Sequence, residues 1–188
     1  MALARAQWRQ DQPQWDASRL VFIDETALNT KMARLYGRSP IGQRCLGCVP
    51  HGHWQTSTFI AALRWARMGA PFLIEGAANR EVFVAYVSQV LCPALHAGDI
   101  VILDNLCIHK TPAVTRLVQA CGATVRYLPA YSPDLNPIEM AFAKLKSHLR
   151  KTAARTLAEL QPAVAAALAQ FQPGHWQGFF RHAHYASI

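Results

Sequence analysis

The sequence predicts an α/β domain with a central mixed five-stranded sheet flanked by helices, and three observations lead there. Short apolar, β-branched runs of strand length recur at residues 19–24, 99–104 and 124–128. Around the later runs lie segments whose apolar residues repeat at helical spacing and whose ends carry capping signals. The order is three strands, a helix, then strand, helix, strand and helices, which suits one sheet covered on both faces.

Taken in order, residues 19–24 (Arg-Leu-Val-Phe-Ile-Asp) read as a buried strand closing on an acid. Residues 26–50 carry Gly37, Pro40, Gly42, Gly47 and Pro50 and read as loop or loose hairpin. Residues 55–64 and 70–74 are two more strands, with a turn near Met68-Gly69. Asn79 is an N-cap for a helix carrying Val82, Phe83, Tyr86, Val87, Val90 and Leu91, which Pro93 ends or bends. Residues 99–104 (Asp-Ile-Val-Ile-Leu-Asp) repeat the first strand's shape, again closing on an acid. Pro112 opens a helix with Val114, Leu117 and Val118 on one face, and Gly122 closes it. Residues 124–128 form a further strand, and a proline-rich connector leads into helices from Pro137 to about Thr152 and from about Thr156 to Phe171. The helix-linked strands should run parallel and the first three should form an antiparallel meander. That order is the ribonuclease-H-like arrangement, among others. Residues 1–18 stand before it as an N-terminal extension, and residues 19–188 make up the domain.

Composition narrows the class. The hydrophobic fraction of 52% with only 16% charged residues fits a chain that buries a core rather than a disordered polyelectrolyte. No apolar run approaches the roughly 18 residues needed to cross a bilayer. The N-terminus, with Arg5, Arg9 and Asp11 among Gln and Trp, does not read as a signal peptide, so a cytoplasmic protein is expected. The net charge of +8 favours a polyanionic partner. Part of the excess is concentrated in Lys144, Lys146, Arg150, Lys151 and Arg155, with no acid among them, although a solvated helix face would read the same way. The five cysteines are expected as reduced thiols. Cys45, Cys48, His51 and His53 have zinc-ligand chemistry, yet they crowd into nine positions without the separated second pair that tetrahedral sites use.

The acids carry the chemistry. Asp24 and Asp104 each sit where an apolar strand runs out, and two parallel neighbours would bring both to one edge of the sheet, where ligand sites of open α/β sheets concentrate. Close aspartates repel in low dielectric, and a divalent cation relieves that. Mg²⁺ prefers hard oxygen ligands and keeps several waters, so a few carboxylates suffice. Glu139 supplies a third: Asn136, Pro137 and Glu139 read as N-cap, N1 and N3 of a helix whose Ile138, Phe142, Leu145 and Leu149 face the sheet. The competing roles are structural, a capping box for Glu139 and turn-forming or capping for the aspartates. Glu25 points to the other side of its strand and is a weaker candidate.

At these residues a family becomes recognisable. Phe22-Ile-Asp24-Glu-Thr26, Leu103-Asp104-Asn105 with His109-Lys110 just beyond, and Tyr-Ser-Pro-Asp-Leu-Asn-Pro-Ile-Glu at 131–139 resemble the three signature blocks of mariner-type DDE transposases. The closer likeness is to the bacterial insertion-sequence branch, whose third acid is Glu and whose spacing between the second and third acids is similar. The resemblance spans residues 19 to 185. It implies a ribonuclease-H-like fold and a catalytic set of Asp24, Asp104 and Glu139 holding two Mg²⁺ (or Mn²⁺) ions. It also implies strand cleavage at transposon ends by hydrolysis, then joining of the freed 3′-OH to target DNA. Transposon-end and target DNA are the implied partners. His109, Lys110, Lys144, Lys146, Arg150 and Lys151 are the expected DNA-contacting residues, and a homodimer is expected once the domain is fused to its end-binding region. Full-length relatives carry an N-terminal helix-turn-helix region, for which the residues before the first strand are too few. The chain therefore reads as a second reading frame joined by frameshifting, or as a piece of a decayed element. Two alternatives remain at this point: a non-catalytic DNA-binding remnant that uses only its basic surface, and a small zinc-binding module.

Overall fold

The computed structural model describes residues 2–186. Helix α1 (Ala2–Asp11) leads into strands β1 (Leu20–Asn29), β2 (Thr56–Leu63) and β3 (Met68–Glu75), then helix α2 (Arg80–Tyr86). Strand β4 (Ile100–Leu103), helix α3 (Pro112–Ala120) and strand β5 (Thr124–Tyr127) follow, and helices α4 (Pro137–Thr152), α5 (Leu157–Ala169) and α6 (Pro173–His182) complete the chain. The strands form one sheet in the order β3-β2-β1-β4-β5. The β1, β2 and β3 pairings are antiparallel, while β4 lies parallel to both β1 and β5. This is the mixed five-stranded sheet that the sequence predicts.

Strand alternation explains the two-sided core. Leu20, Phe22, Phe59, Ala61, Leu63 and Ile102 face α4, α5 and α6. Val21, Ile23, Ile60, Ala62, Val101 and Leu103 face the other way, against Phe83 and Tyr86 of α2 and Val114 and Val118 of α3. Helix α4 fills the first side with Ile138, Ala141, Phe142, Leu145 and Leu149, an apolar stripe at helical spacing.

Several boundaries differ from expectation. Strand β1 does not stop at Asp24: it runs to Asn29, because residues 26–29 pair with β2 and Leu28 is fully buried. Only its parallel pairing with β4 stops there, at Ile23 opposite Leu103. The β2–β3 turn lies at residues 64–67, where Arg64 and Arg67 exchange backbone hydrogen bonds, so Met68 and Gly69 already belong to β3. Asn79 does cap α2, its Oδ1 accepting from the Val82 N–H at 2.9 Å, and the helix loosens into a π turn (Val87–Leu91) before Pro93.

Helices α1 and α6 were not expected from the pattern. Both form through tertiary contacts rather than long apolar stripes. Trp8 of α1 is buried and donates to the Tyr185 hydroxyl at 2.8 Å, and that hydroxyl donates to the Leu135 carbonyl at 2.8 Å. Trp176 and Phe180 anchor α6. Among the described residues no helix is long and apolar enough to cross a membrane.

Candidate active site

The edge of the sheet where β1 and β4 part holds the acids. Asp24 continues the residue ladder one step beyond Ile23 and Leu103, and Asp104 is the first residue after β4. Asp24, Asp104 and Glu139 line one cavity of about 360 Å³, together with Asn105, Leu106, Asn136 and residues 128–133.

Asp24 is buried, with 7% of its surface exposed. Its Oδ1 accepts the Glu25 N–H at 2.8 Å and its Oδ2 accepts the Asn136 side-chain amide at 2.8 Å. Burial pushes this carboxyl up to about 7; the Glu25 N–H opposes the rise, and the charges of Glu139, Asp104 and Glu25 add to it. Asp104 behaves oppositely. Burial pushes it up, but the His109 ring, the Leu106 N–H and the nearby Lys110 charge outweigh that and hold it below the usual carboxylate range. Both of its hydrogen bonds fall on Oδ1, from Leu106 at 3.0 Å and His109 Nδ1 at 2.5 Å.

Glu139 sits in the first turn of α4, exposed at the cavity. Its expected structural role, a capping box with Asn136, does not form: the Asn136 side chain caps no N–H of α4 and turns to Asp24 instead. The Asn136 Oδ1 is buried and has no hydrogen-bond partner among the described residues.

The expected DNA-contacting residues do not share one surface. Lys146 and Arg150 follow Glu139 on one stripe of α4, about two and three turns on. Arg150 and Lys151 line a surface hollow with Arg34, Leu35, Tyr36 and Ser147, and Lys110 is exposed beside Asp104. Lys144 lies off that stripe, over the Phe171 ring at 5.2 Å. His109 is not on the surface at all. It is fully buried, with Nε2 at 3.0 Å from Glu25 Oε2 and its ring 4.4 Å from that of Phe83. Burial pulls this imidazole down, but the hydrogen bonds and charges of Asp104 and Glu25 outweigh it and push it up to about 9.

Two contributors escaped the sequence reading. Asn136 looked like an ordinary N-cap, and nothing local says that its side chain turns away from its own helix. Glu25 is the weaker candidate in the sequence because it points to the other face of β1, and on that face it meets His109. The pairing joins residues 84 positions apart, so alternation gives the side but not the partner.

The donor set suits a divalent cation of the Mg²⁺ type. The acids offer hard oxygens only, Asp24 is held in a surrounding that disfavours its charge, and the Asn136 Oδ1 is left an orphaned buried acceptor beside it. Among the described residues no three His, Cys, Asp or Glu side chains are grouped closely enough to hold one metal ion between them. Cys45 and Cys48 are both exposed on the loop between β1 and β2.

Fold and site together define a ribonuclease-H-like α/β domain with an acidic cavity at its sheet edge. The family profile "DDE superfamily endonuclease" matches residues 19–161, well over half of the chain, and the chain belongs to that family. Solved structures with the same fold include the Mos1 transposase paired-end complex with left transposon end, at TM-score 0.74 and 16% identity over 97% of this chain and 56% of that chain. The mariner Mos1 paired end complex with Mg gives TM-score 0.73 and 15% identity, over 97% and 58%. The catalytic domain of Mos1 mariner transposase gives 0.69 and 15%, over 97% and 84%. At these identities the likeness establishes the fold. The chain spans little more than half the length of the transposase chains in the DNA-end complexes, at 56% of the first. No curated protein sequence matches.

Proposed function

We propose that this chain is the catalytic domain of a transposase, with residues 1–18 as an extension of it, and that it cuts and joins DNA strands during insertion-sequence transposition. The observation that carries the reading is the convergence of Asp24, Asp104 and Glu139, from two parallel strands and a separate helix, on one cavity. The family match and the Mos1 structures, complexes with a transposon end and with Mg, support it.

In this reading Asp24, Asp104 and Glu139 hold two Mg²⁺ or Mn²⁺ ions. When bound, such ions activate an attacking oxygen and stabilise the leaving oxygen of an in-line displacement. The chain's own residues fix the acids. The Glu25 N–H and Asn136 orient Asp24, and the contacts on Asp104 Oδ1 leave its Oδ2 available. Lys110, exposed beside Asp104, and Lys146 and Arg150, on the Glu139 stripe of α4, would neutralise a phosphodiester backbone leaving the cavity. Lys144 and Lys151, seven positions apart, share the neighbouring flank of α4 and would meet the backbone there. The first reaction consumes water and leaves a 3′-OH and a 5′-phosphate. In the second, that 3′-OH attacks a target phosphodiester, so one bond forms as one breaks. Transposon-end and target DNA are the partners, and a homodimer forms once an upstream end-binding region is joined.

Supercoiled plasmid with Mn²⁺ tests this, since one nick converts each circle to the open form and reads weak activity. The wild-type chain is expected to nick and leave 3′-OH ends, and Asp24→Asn, Asp104→Asn and Glu139→Gln each to lose at least about 100-fold. Because the acids act as a unit, a double variant is expected to be no worse than a single one. Nicking sustained by purified Asp104→Asn would contradict the proposal, and a wild-type chain that binds DNA without nicking it would favour a non-catalytic DNA-binding domain.

A further inference from the structure

We propose that His109 is a positioning residue: its Nδ1–H fixes the Asp104 carboxylate for cation binding, and Glu25 locks the far side of the ring. The inference rests on the reading of Asp104 as a metal-holding acid. Asp104 stands at the start of a segment without regular structure, residues 104–111, so strand geometry alone does not fix its side chain. His109 supplies what the strand does not. The ring is fully buried and can take one orientation only, with Asp104 on Nδ1, Glu25 on Nε2 and Phe83 against its face. Its backbone is pinned as well, the N–H donating to Leu106 O at 3.2 Å and the carbonyl accepting the Tyr127 hydroxyl at 3.2 Å.

The relay runs through the sheet. Glu25 lies on the α2 and α3 side of β1, Asp24 on the α4 side, and the buried imidazole carries a rigid link from Glu25 to Asp104. A side chain with no exposed surface cannot touch DNA, so this role replaces the surface contact expected from the sequence. Hydrogen-bond partners of metal ligands are known to matter: their loss costs about 10–100-fold in metal affinity or activity.

Two substitutions separate this role from simple packing, because each keeps one of the two ring nitrogens as an amide. His109→Asn retains a donor at the Nδ1 position, facing Asp104, and loses the Glu25 contact. His109→Gln retains the Nε2 position, facing Glu25, and loses the Asp104 contact. Mn²⁺ binding to the 188-residue protein, followed by electron paramagnetic resonance, is expected to weaken about threefold or less in His109→Asn. In His109→Gln and His109→Ala it is expected to weaken by about 10–100-fold. Equal affinities in all three, or better binding by Gln than Asn, would overturn the proposal.

A measurement on the wild type needs no variant to fold. Mg²⁺ titration is expected to move the His109 ring resonance in ¹⁵N-resolved spectra, with the midpoint of the binding curve. An unmoved resonance during binding that depends on Asp24 and Asp104 would overturn the inference alone. Mn²⁺ binding indifferent to Asp24→Asn and Asp104→Asn would overturn the metal-site reading and this inference with it.

Discussion

At Asp24 a carboxylate is buried beside two further acids, and its own free energy opposes the charge that a cation needs. Its carboxyl is pushed up to about 7 from an ordinary 3.8, so between those values the folded protein binds the proton more tightly than the unfolded chain does. The stability that Asp24 contributes is therefore present at low pH and lost as pH rises through about 7. In chelator, wild type is expected to lose stability across this window, by an amount on the order of a few kcal/mol. Asp24→Asn, which removes the titration, is expected to be more stable than wild type at pH 8, with the advantage shrinking as pH falls below about 7 and gone near the ordinary 3.8. Urea denaturation of both proteins across that range checks this, and a wild type as stable as the variant at pH 8 would contradict it. Added Mg²⁺ should reverse the order, because it binds the deprotonated form and releases the proton. The identity of the acids was legible in the sequence, since both aspartates end apolar runs. Their partners were not. Asn136 and His109 reach them across 112 and 5 positions, by side-chain directions that only the packed chain determines.

Among the elements, those with strong local signals were the ones read correctly. Strands β4 and β5, helix α3 opening at Pro112, and helix α4 with its buried stripe all follow from apolar spacing and end signals. Strand β1 was cut short because residues 26–29 pair on one side only and their apolar content is thin. Helix α6 was missed because Pro173, Gly174 and Gly178 weaken its propensity, and it forms by burying Trp176 and Phe180. Helix α1 shows the same dependence at the other end of the chain. It holds the connector before α4 from outside, Arg5 donating to Ser132 Oγ at 2.8 Å and pairing with Asp134 at 2.7 Å. It reaches the core through Trp8, whose ring stands edge-on to Trp15 at 4.8 Å. Trp8→Ala removes this packing and the donor to Tyr185, and is expected to destabilise the protein by about 3–5 kcal/mol. A loss below about 1 kcal/mol in chemical denaturation would mean that α1 is not part of the folded core.

Across the whole molecule, the sheet places two acids from parallel neighbours at one edge, and α4 brings the third while carrying Lys146 and Arg150 away along the same stripe. The net charge of +8 thus has a direction as well as a sign. The chain spans little more than half the length of the Mos1 transposase chains whose fold it shares. The proposed function requires a cation site built by Asp24, Asp104 and Glu139. Anomalous scattering at the manganese edge, from crystals grown or soaked in Mn²⁺, tests it most directly. Peaks are expected in the cavity between these three carboxylates, two of them about 3.5–4 Å apart when DNA is bound. Manganese absent from that cavity in Mn²⁺-saturated crystals, with Glu139 turned to bulk solvent, would contradict it.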